Sequence, residues 1–143
     1  MPLRKLATLA CLLCSLLLGG CTEQPQAALE AAVQQLQDSL EGKRTATLME
    51  LLHPDFRAQQ QHDRDWARRT AALMFLRHRN VGVLALGQRS WIDPTYPDRG
   101  HTEAQVALTG AEGLLPQQAA HYSVRLEWWR EGDDWRLARL DWD

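Results

Sequence analysis

The chain has 143 residues, 45% hydrophobic and 24% charged, which suits one ordinary globular domain and excludes a fibre or a disordered chain. Sixteen Lys and Arg against 18 acids leave a net charge of −2, so the overall charge offers no attraction to nucleic acid. Three cysteines, an odd number, exclude a framework stapled wholly by disulfides.

Arg4 and Lys5 open a short basic start, and Leu6 to Leu18 follows without a charge. That run has the length of a signal-peptide core and falls short of the ~20 apolar residues of a membrane-spanning helix. It is apolar all round, without the stripe of a helix that packs on a core. It ends in Leu18-Gly19-Gly20-Cys21, which resembles the lipobox of bacterial lipoproteins, with Gly19 where Ala or Ser is more usual. The resemblance implies that residues 1–20 are a cleaved lipoprotein signal peptide and that Cys21 is lipidated, palmitate among its acyl chains. At ~0.8 kcal/mol per buried methylene, several chains make an anchor effectively permanent. Thr22 after the cysteine, in place of Asp, implies the outer membrane, facing the periplasm. A plain secretory signal would leave Cys21 free or cut elsewhere, and the mass of the mature chain separates the two. Cleavage before Cys21 leaves 123 residues at a net charge of −4 and removes Cys11 and Cys14, so no internal disulfide is then possible.

Residues 21–26 read as the lipidated cysteine and a polar tether, with Pro25 in it. From Ala27 the pattern is helical, Leu29, Val33, Leu36 and Leu40 making one stripe, with Gly42 as a stop and Lys43 and Arg44 near the negative end of the helix dipole. A shorter helix is predicted over 45–52, ended by His53-Pro54. Asp63 is a good N-cap for a third helix with Arg77, His78 and Arg79 in its last turn, placing Trp66, Thr70, Leu73 and Met74 on one face. Gln59 to Gln61 reads as a solvated loop. Beyond Asn80 the period becomes two. Strands are predicted over 81–92, 101–109, 119–130 and 135–142, with Gly82 and Gly87 permitting a bulge in the first. The segments 93–100 and 110–118 read as loops, and Glu131-Gly132-Asp133-Asp134 as a hairpin turn.

Three helices followed by four strands predict an α+β class. The helices pack on a curved, mostly antiparallel sheet of about four strands, in a single domain over 27–143. Two segments carry a resemblance: Leu51-Leu52-His53-Pro54-Asp55-Phe56 after the second helix, and Gly132-Asp133-Asp134-Trp135-Arg136-Leu137 at the last hairpin. Both are similar to segments of the superfamily of nuclear transport factor two, ketosteroid isomerase and scytalone dehydratase. That resemblance implies a cone-like α+β barrel around an internal pocket, on a scaffold that serves enzymes, transport factors and secretion-machine parts alike.

Isomerases of this kind need a carboxylate base and hydrogen-bond donors for an oxyanion. The strand faces predicted to turn inward carry Ala104, Val106 and Leu108, then Tyr122, Val124, Leu126 and Trp128, with no acid or histidine. The opposite faces hold His101, Glu103, His121, Arg125 and Glu127, which read as cross-strand charge pairs or, with the faces reversed, as a histidine pair fit for metal or acid–base work. His62-Asp63-Arg64-Asp65 reads as a helix start more readily than as a metal cluster. No motif for a metal, a phosphate or a nucleophilic serine stands out, so no catalytic residue, metal or cofactor is assigned. Six tryptophans, Trp66, Trp91, Trp128, Trp129, Trp135 and Trp142, are many for the mature length, and Trp serves both cores and binding surfaces.

The reading is a membrane-anchored envelope lipoprotein with a non-catalytic cone-like domain, bound to the lipid bilayer through acylated Cys21. The domain takes a small apolar ligand, with Trp66, Tyr122 and Trp128 as pocket candidates, or an envelope protein partner. Arg125 and Trp129 are interface candidates, for a homodimer through the open sheet face among others. The arginines of the third helix, Arg64, Arg68, Arg69 and Arg77, read as a solvated helix face or, alternatively, as a contact for anionic headgroups beneath the anchor. The alternatives are an isomerase- or dehydratase-type enzyme of the same fold and a structural part of a larger envelope assembly.

Overall fold

The computed structural model describes residues 24–109 and 120–143; the predicted signal, Cys21 and the predicted 110–118 loop lie outside the described residues. The elements in chain order are α1 (Gln24–Glu41), α2 (Thr45–Leu51), β1 (Leu52–Ala58), α3 (Arg64–Arg77), β2 (Gly82–Ile92), β3 (Arg99–Thr109), β4 (Ala120–Glu131) and β5 (Asp134–Trp142). The strands form one sheet in the order β1-β5-β4-β3-β2, antiparallel throughout except that β1 runs parallel to β5. This is the α+β arrangement predicted, with a fifth strand added.

The added strand follows α2 without a loop. Leu52, His53, Phe56 and Ala58 are buried while Pro54, Asp55 and Arg57 are exposed, a pattern broken by a register shift between Leu52 and Arg57. Pro54 has no N–H to give to a ladder, which an edge strand tolerates and a central one does not. Gln59 and Gln60, both at positive φ, then turn the chain back so that His62 pairs with Ala58.

Helix α1 takes in residues that the sequence suggested as tether. Pro25 fits a first turn, where its missing N–H has no helical partner to lose. The segment is docked: the Pro25 carbonyl accepts from the Trp135 indole at 3.1 Å, and the Gln26 amide donates to the Ser90 carbonyl at 2.9 Å. Leu29, Ala32 and Val33 then enter a core shared with Met49, Leu52, Phe56, Leu126, Trp128, Trp135 and Leu137. Gly42 and Lys43 end the helix, Lys43 at φ +53°, and the Lys43 ammonium donates to the Phe75 carbonyl at 2.9 Å and to the His78 carbonyl at the end of α3.

The predicted cap of α3 is present. Asp63 accepts from the Trp66 N–H at 2.9 Å, satisfying a donor that the first helical turn leaves without a partner. That hydrogen bond, with Arg57 and Arg69 nearby, holds the Asp63 carboxyl below its ordinary range. None of the residues of α3 is fully buried. Leu73, predicted on one face with Trp66, Thr70 and Met74, is 46% exposed and leaves that face, which turns Trp66, Ala67, Thr70, Ala71, Met74 and Phe75 to the cavity.

Strand β2 contains the bulge that Gly87 permits. Leu86 pairs with Gln105 and Arg89 with Glu103, so one extra residue sits between them, Gly87 at φ +59°. The insertion reverses parity, which turns Gln88 inward and Arg89 and Trp91 outward.

Candidate functional site

Between the helices and the curved sheet lies a cavity of about 520 Å³. Its walls are built element by element: Val33, Leu36 and Leu40 from α1, Leu52 and Phe56 from β1, and the inner face of α3. The sheet supplies Val83, Ala85 and Gln88 from β2, Thr102, Ala104, Val106 and Leu108 from β3, and Tyr122, Val124 and Leu126 from β4. Strand β5 closes the wall with Leu137, Leu140 and Trp142. The inward faces predicted for β3 and β4 are therefore correct from Thr102 to Leu126.

The wall contains no carboxylate, imidazole or cation among the described residues. Its polar groups are few. The Gln37 amide is spent on the Val83 carbonyl and on Glu41, at 3.0 and 2.9 Å. The Thr102 hydroxyl meets the Trp128 indole N–H at 3.1 Å and the Ser90 hydroxyl at 2.8 Å. Thr70, Gln88 and Tyr122 bring the remaining polar atoms to the wall. Trp66 forms an aromatic side with Trp142, the rings near-parallel at 6.4 Å, and His62 stacks on Trp66 at 4.4 Å.

Of the predicted pocket residues, Trp66 and Tyr122 line the cavity. Trp128 does not: it is fully buried in the core, its N–H held by Thr102. It has the right parity but lies at the narrow end of the cone, where α1 closes on the sheet and leaves no room.

The interface candidates lie on the opposite face of β4. Trp129 is engaged by its own chain: the guanidinium groups of Arg99 and Arg139 lie 4.1 and 4.8 Å from its ring, its N–H donates to Glu127 at 2.7 Å, and the His53 ring meets it at 4.7 Å. Arg125 is exposed and pairs with Asp143 at 3.6 Å. Buried His53 accepts the Asp55 N–H on Nδ1, which leaves Nε2 to donate to Glu131 at 2.7 Å.

His101 and His121 are not brought together. His101 lies opposite Glu127 and His121 opposite Ala107, six positions apart along β3. His101 instead binds Asp93 at 2.8 Å, while Glu103 pairs with Arg89 at 2.9 Å. The His101 hydrogen bond, with the Tyr96 and Thr95 N–H groups, holds Asp93 down at about 2. No cluster of three potential metal ligands occurs among the described residues. A second groove, about 350 Å³, runs between Ala28, Ala31 and Gln35 of α1 and the β4–β5 turn at Asp133 and Asp134.

No protein-family model matches the sequence, and no curated protein matches it closely enough to count as a relative. Solved structures do match. A Bdellovibrio bacteriovorus protein superposes with a TM-score of 0.69 at 10% identity over 80% of this chain, which spans 40% of that one. A Pseudomonas putida protein of the nuclear-transport-factor-two-like class, of unknown function, gives 0.68 at 7% identity, covering 82% of this chain and 84% of its own. A hexachlorocyclohexane dehydrochlorinase from Novosphingobium barchaimii gives 0.64 at 12% identity, with coverage of 82% and 84%. The fold is thus the nuclear-transport-factor-two-like cone. At such identities the likeness concerns the fold alone, which unrelated activities share.

Proposed function

We propose that this protein is a lipid-anchored envelope protein whose cone holds a small, uncharged, apolar ligand without transforming it. One observation carries the ligand reading: a cavity of about 520 Å³ whose described wall is largely apolar and holds no carboxylate, imidazole or cation. That volume lies within the ~300–1,000 Å³ usual for small-molecule sites. A ligand carboxylate or phosphate would be buried there without a cation, a cost the site does nothing to offset. A neutral ligand with one or two polar atoms matches Thr70, Gln88 and Tyr122, with Trp66 as its aromatic contact. Proton abstraction would need a base within hydrogen-bond reach of the ligand, and the described wall supplies none.

The anchoring half rests on the basic start, apolar core and Cys21 of the N-terminus. Its destination is the periplasmic face of the outer membrane. Mass spectrometry of the detergent-extracted native protein tests both halves: an acylated N-terminal Cys21 peptide is expected, and a neutral apolar molecule that leaves on denaturation. Binding is checked separately with the neutral dye N-phenyl-1-naphthylamine. Its emission should rise with the protein and fail to rise with Ala104→Trp, whose ring would occupy the cavity while the circular dichroism stays unchanged. Equal dye binding by the filled variant would overturn the cavity assignment, and an unmodified full-length chain in the native extract would overturn the anchor.

A further inference from the structure

Along the chain, one basic stretch also carries most of the exposed apolar side chains. From Trp66 to Ile92 the sequence has five arginines, Arg68, Arg69, Arg77, Arg79 and Arg89, and no acid. The large apolar side chains exposed among the described residues, apart from Tyr96, are Leu73, Met74, Leu76, Leu84, Leu86 and Leu108. Five of those six belong to the same acid-free stretch.

Helix α3 sorts them. At 3.6 residues per turn, the face opposite the cavity carries Arg68, Arg69, Ala72, Leu73 and Leu76, all exposed, with Leu76 at 86%. A helix with one face against a cavity should turn polar groups outward. Here the last two turns turn out Leu73 and Leu76, with Arg77 in the last turn and Arg79 just beyond it. Met74 and Leu108 line the cavity and are also 40% and 38% exposed, so they stand at its mouth, beside this surface.

We infer that the C-terminal half of α3 docks on an anionic phospholipid bilayer, its leucines in the acyl boundary and its arginines at the headgroup phosphates, with the cavity mouth turned to the membrane. Arg68 is paired with Asp65 and Arg89 with Glu103, which leaves Arg77 and Arg79, beside Leu73 and Leu76, as the cations for the headgroups, and apolar groups next to such cations match an anionic interface and mismatch water. No described helix is long and apolar enough to span a membrane, so the contact is a surface one. The docking goes beyond the proposed ligand and does not require acylated Cys21.

The test mixes the full chain with vesicles, and docking is read locally. Backbone hydrogen exchange over 72–80 is compared between pure phosphatidylcholine and phosphatidylcholine with phosphatidylglycerol. Roughly tenfold slower exchange is expected in the anionic vesicles, reversed by about 0.5 M salt. Leu76→Asp should abolish the slowing with the urea midpoint unchanged, since Leu76 is exposed, and Arg77→Glu with Arg79→Glu should do likewise. Equal rates over 72–80 in the two vesicle types would overturn the inference, as would slowing shared by β4 and β5, which would mark a global effect. Failure of dye binding with this slowing intact would sink the ligand reading and leave the docking standing.

Discussion

Thr102→Val is the sharpest test of how the cone is held at its narrow end. Thr102 is 2% exposed and Trp128 fully buried, and the threonine hydroxyl is the hydrogen-bond partner given to the indole N–H, at 3.1 Å. Valine keeps the side-chain shape and removes the acceptor. A buried donor left without a partner costs about 1–3 kcal/mol, whereas Ser90, the other partner, is only half-buried and recovers a hydrogen bond from solvent. The expected loss is about 2 kcal/mol, or roughly 6–10 °C in Tm for a domain of this size. Urea denaturation at an unchanged m-value measures it. Trp128→Phe removes the donor, so the double variant should be more stable than the sum of the single losses predicts, by about 1 kcal/mol. Because Thr102 also lines the cavity, Val should leave N-phenyl-1-naphthylamine binding intact or tighter. A Thr102→Val protein within about 0.5 kcal/mol of wild type, or strict additivity with Trp128→Phe, would refute the reasoning.

Gly100 marks the closest approach of α1 to the sheet. A Cβ there would stand 2.9 Å from both Leu29 methyls and 3.4 Å from the Trp135 ring, and Leu29 is fully buried with nowhere to move. Gly100→Ala should therefore cost roughly 1–3 kcal/mol by denaturation, and less in a Leu29→Ala background, where the clash is gone. Asp93 is held at about 2 against an ordinary 3.8, chiefly by His101, so its native contacts favour the charged form. That contribution is present above the ordinary value and lost as pH falls through about 2. Asp93→Asn should flatten the acid limb of stability between these values, and an unchanged limb in acid denaturation would count against the pairing.

Much of the fold could be read from local pattern because the physics that set it is local. The Asp63 cap, the Gly42 stop and the alternation through Ala104, Val106, Tyr122 and Val124 each depend on neighbours a few residues away. Strand β1 depends on β5, about eighty positions later, and its buried positions do not alternate. With Pro54 inside it, no propensity argument would name it a strand. Leu73 was misplaced for a related reason: leucine normally seeks the core, but the outward turns of α3 expose it. Gly87 announced a bulge without saying which residues would change face, so Gln88 on the cavity wall was not foreseeable. Trp128 shows the limit of parity, which gives the side of a strand and not the depth of the cone at that point.

The cavity itself asks for an occupant on energetic grounds. Its mouth at Met74 and Leu108 is open to solvent, so the void is not a sealed one. The unliganded cone therefore holds water, which wants two to four hydrogen bonds per molecule and finds little on this wall beyond Thr70, Gln88 and Tyr122. Displacing such weakly held water with apolar surface is favourable. The ligand would then complete the core, and the element it completes most is α3, which buries no residue fully and packs chiefly on α2 and β1.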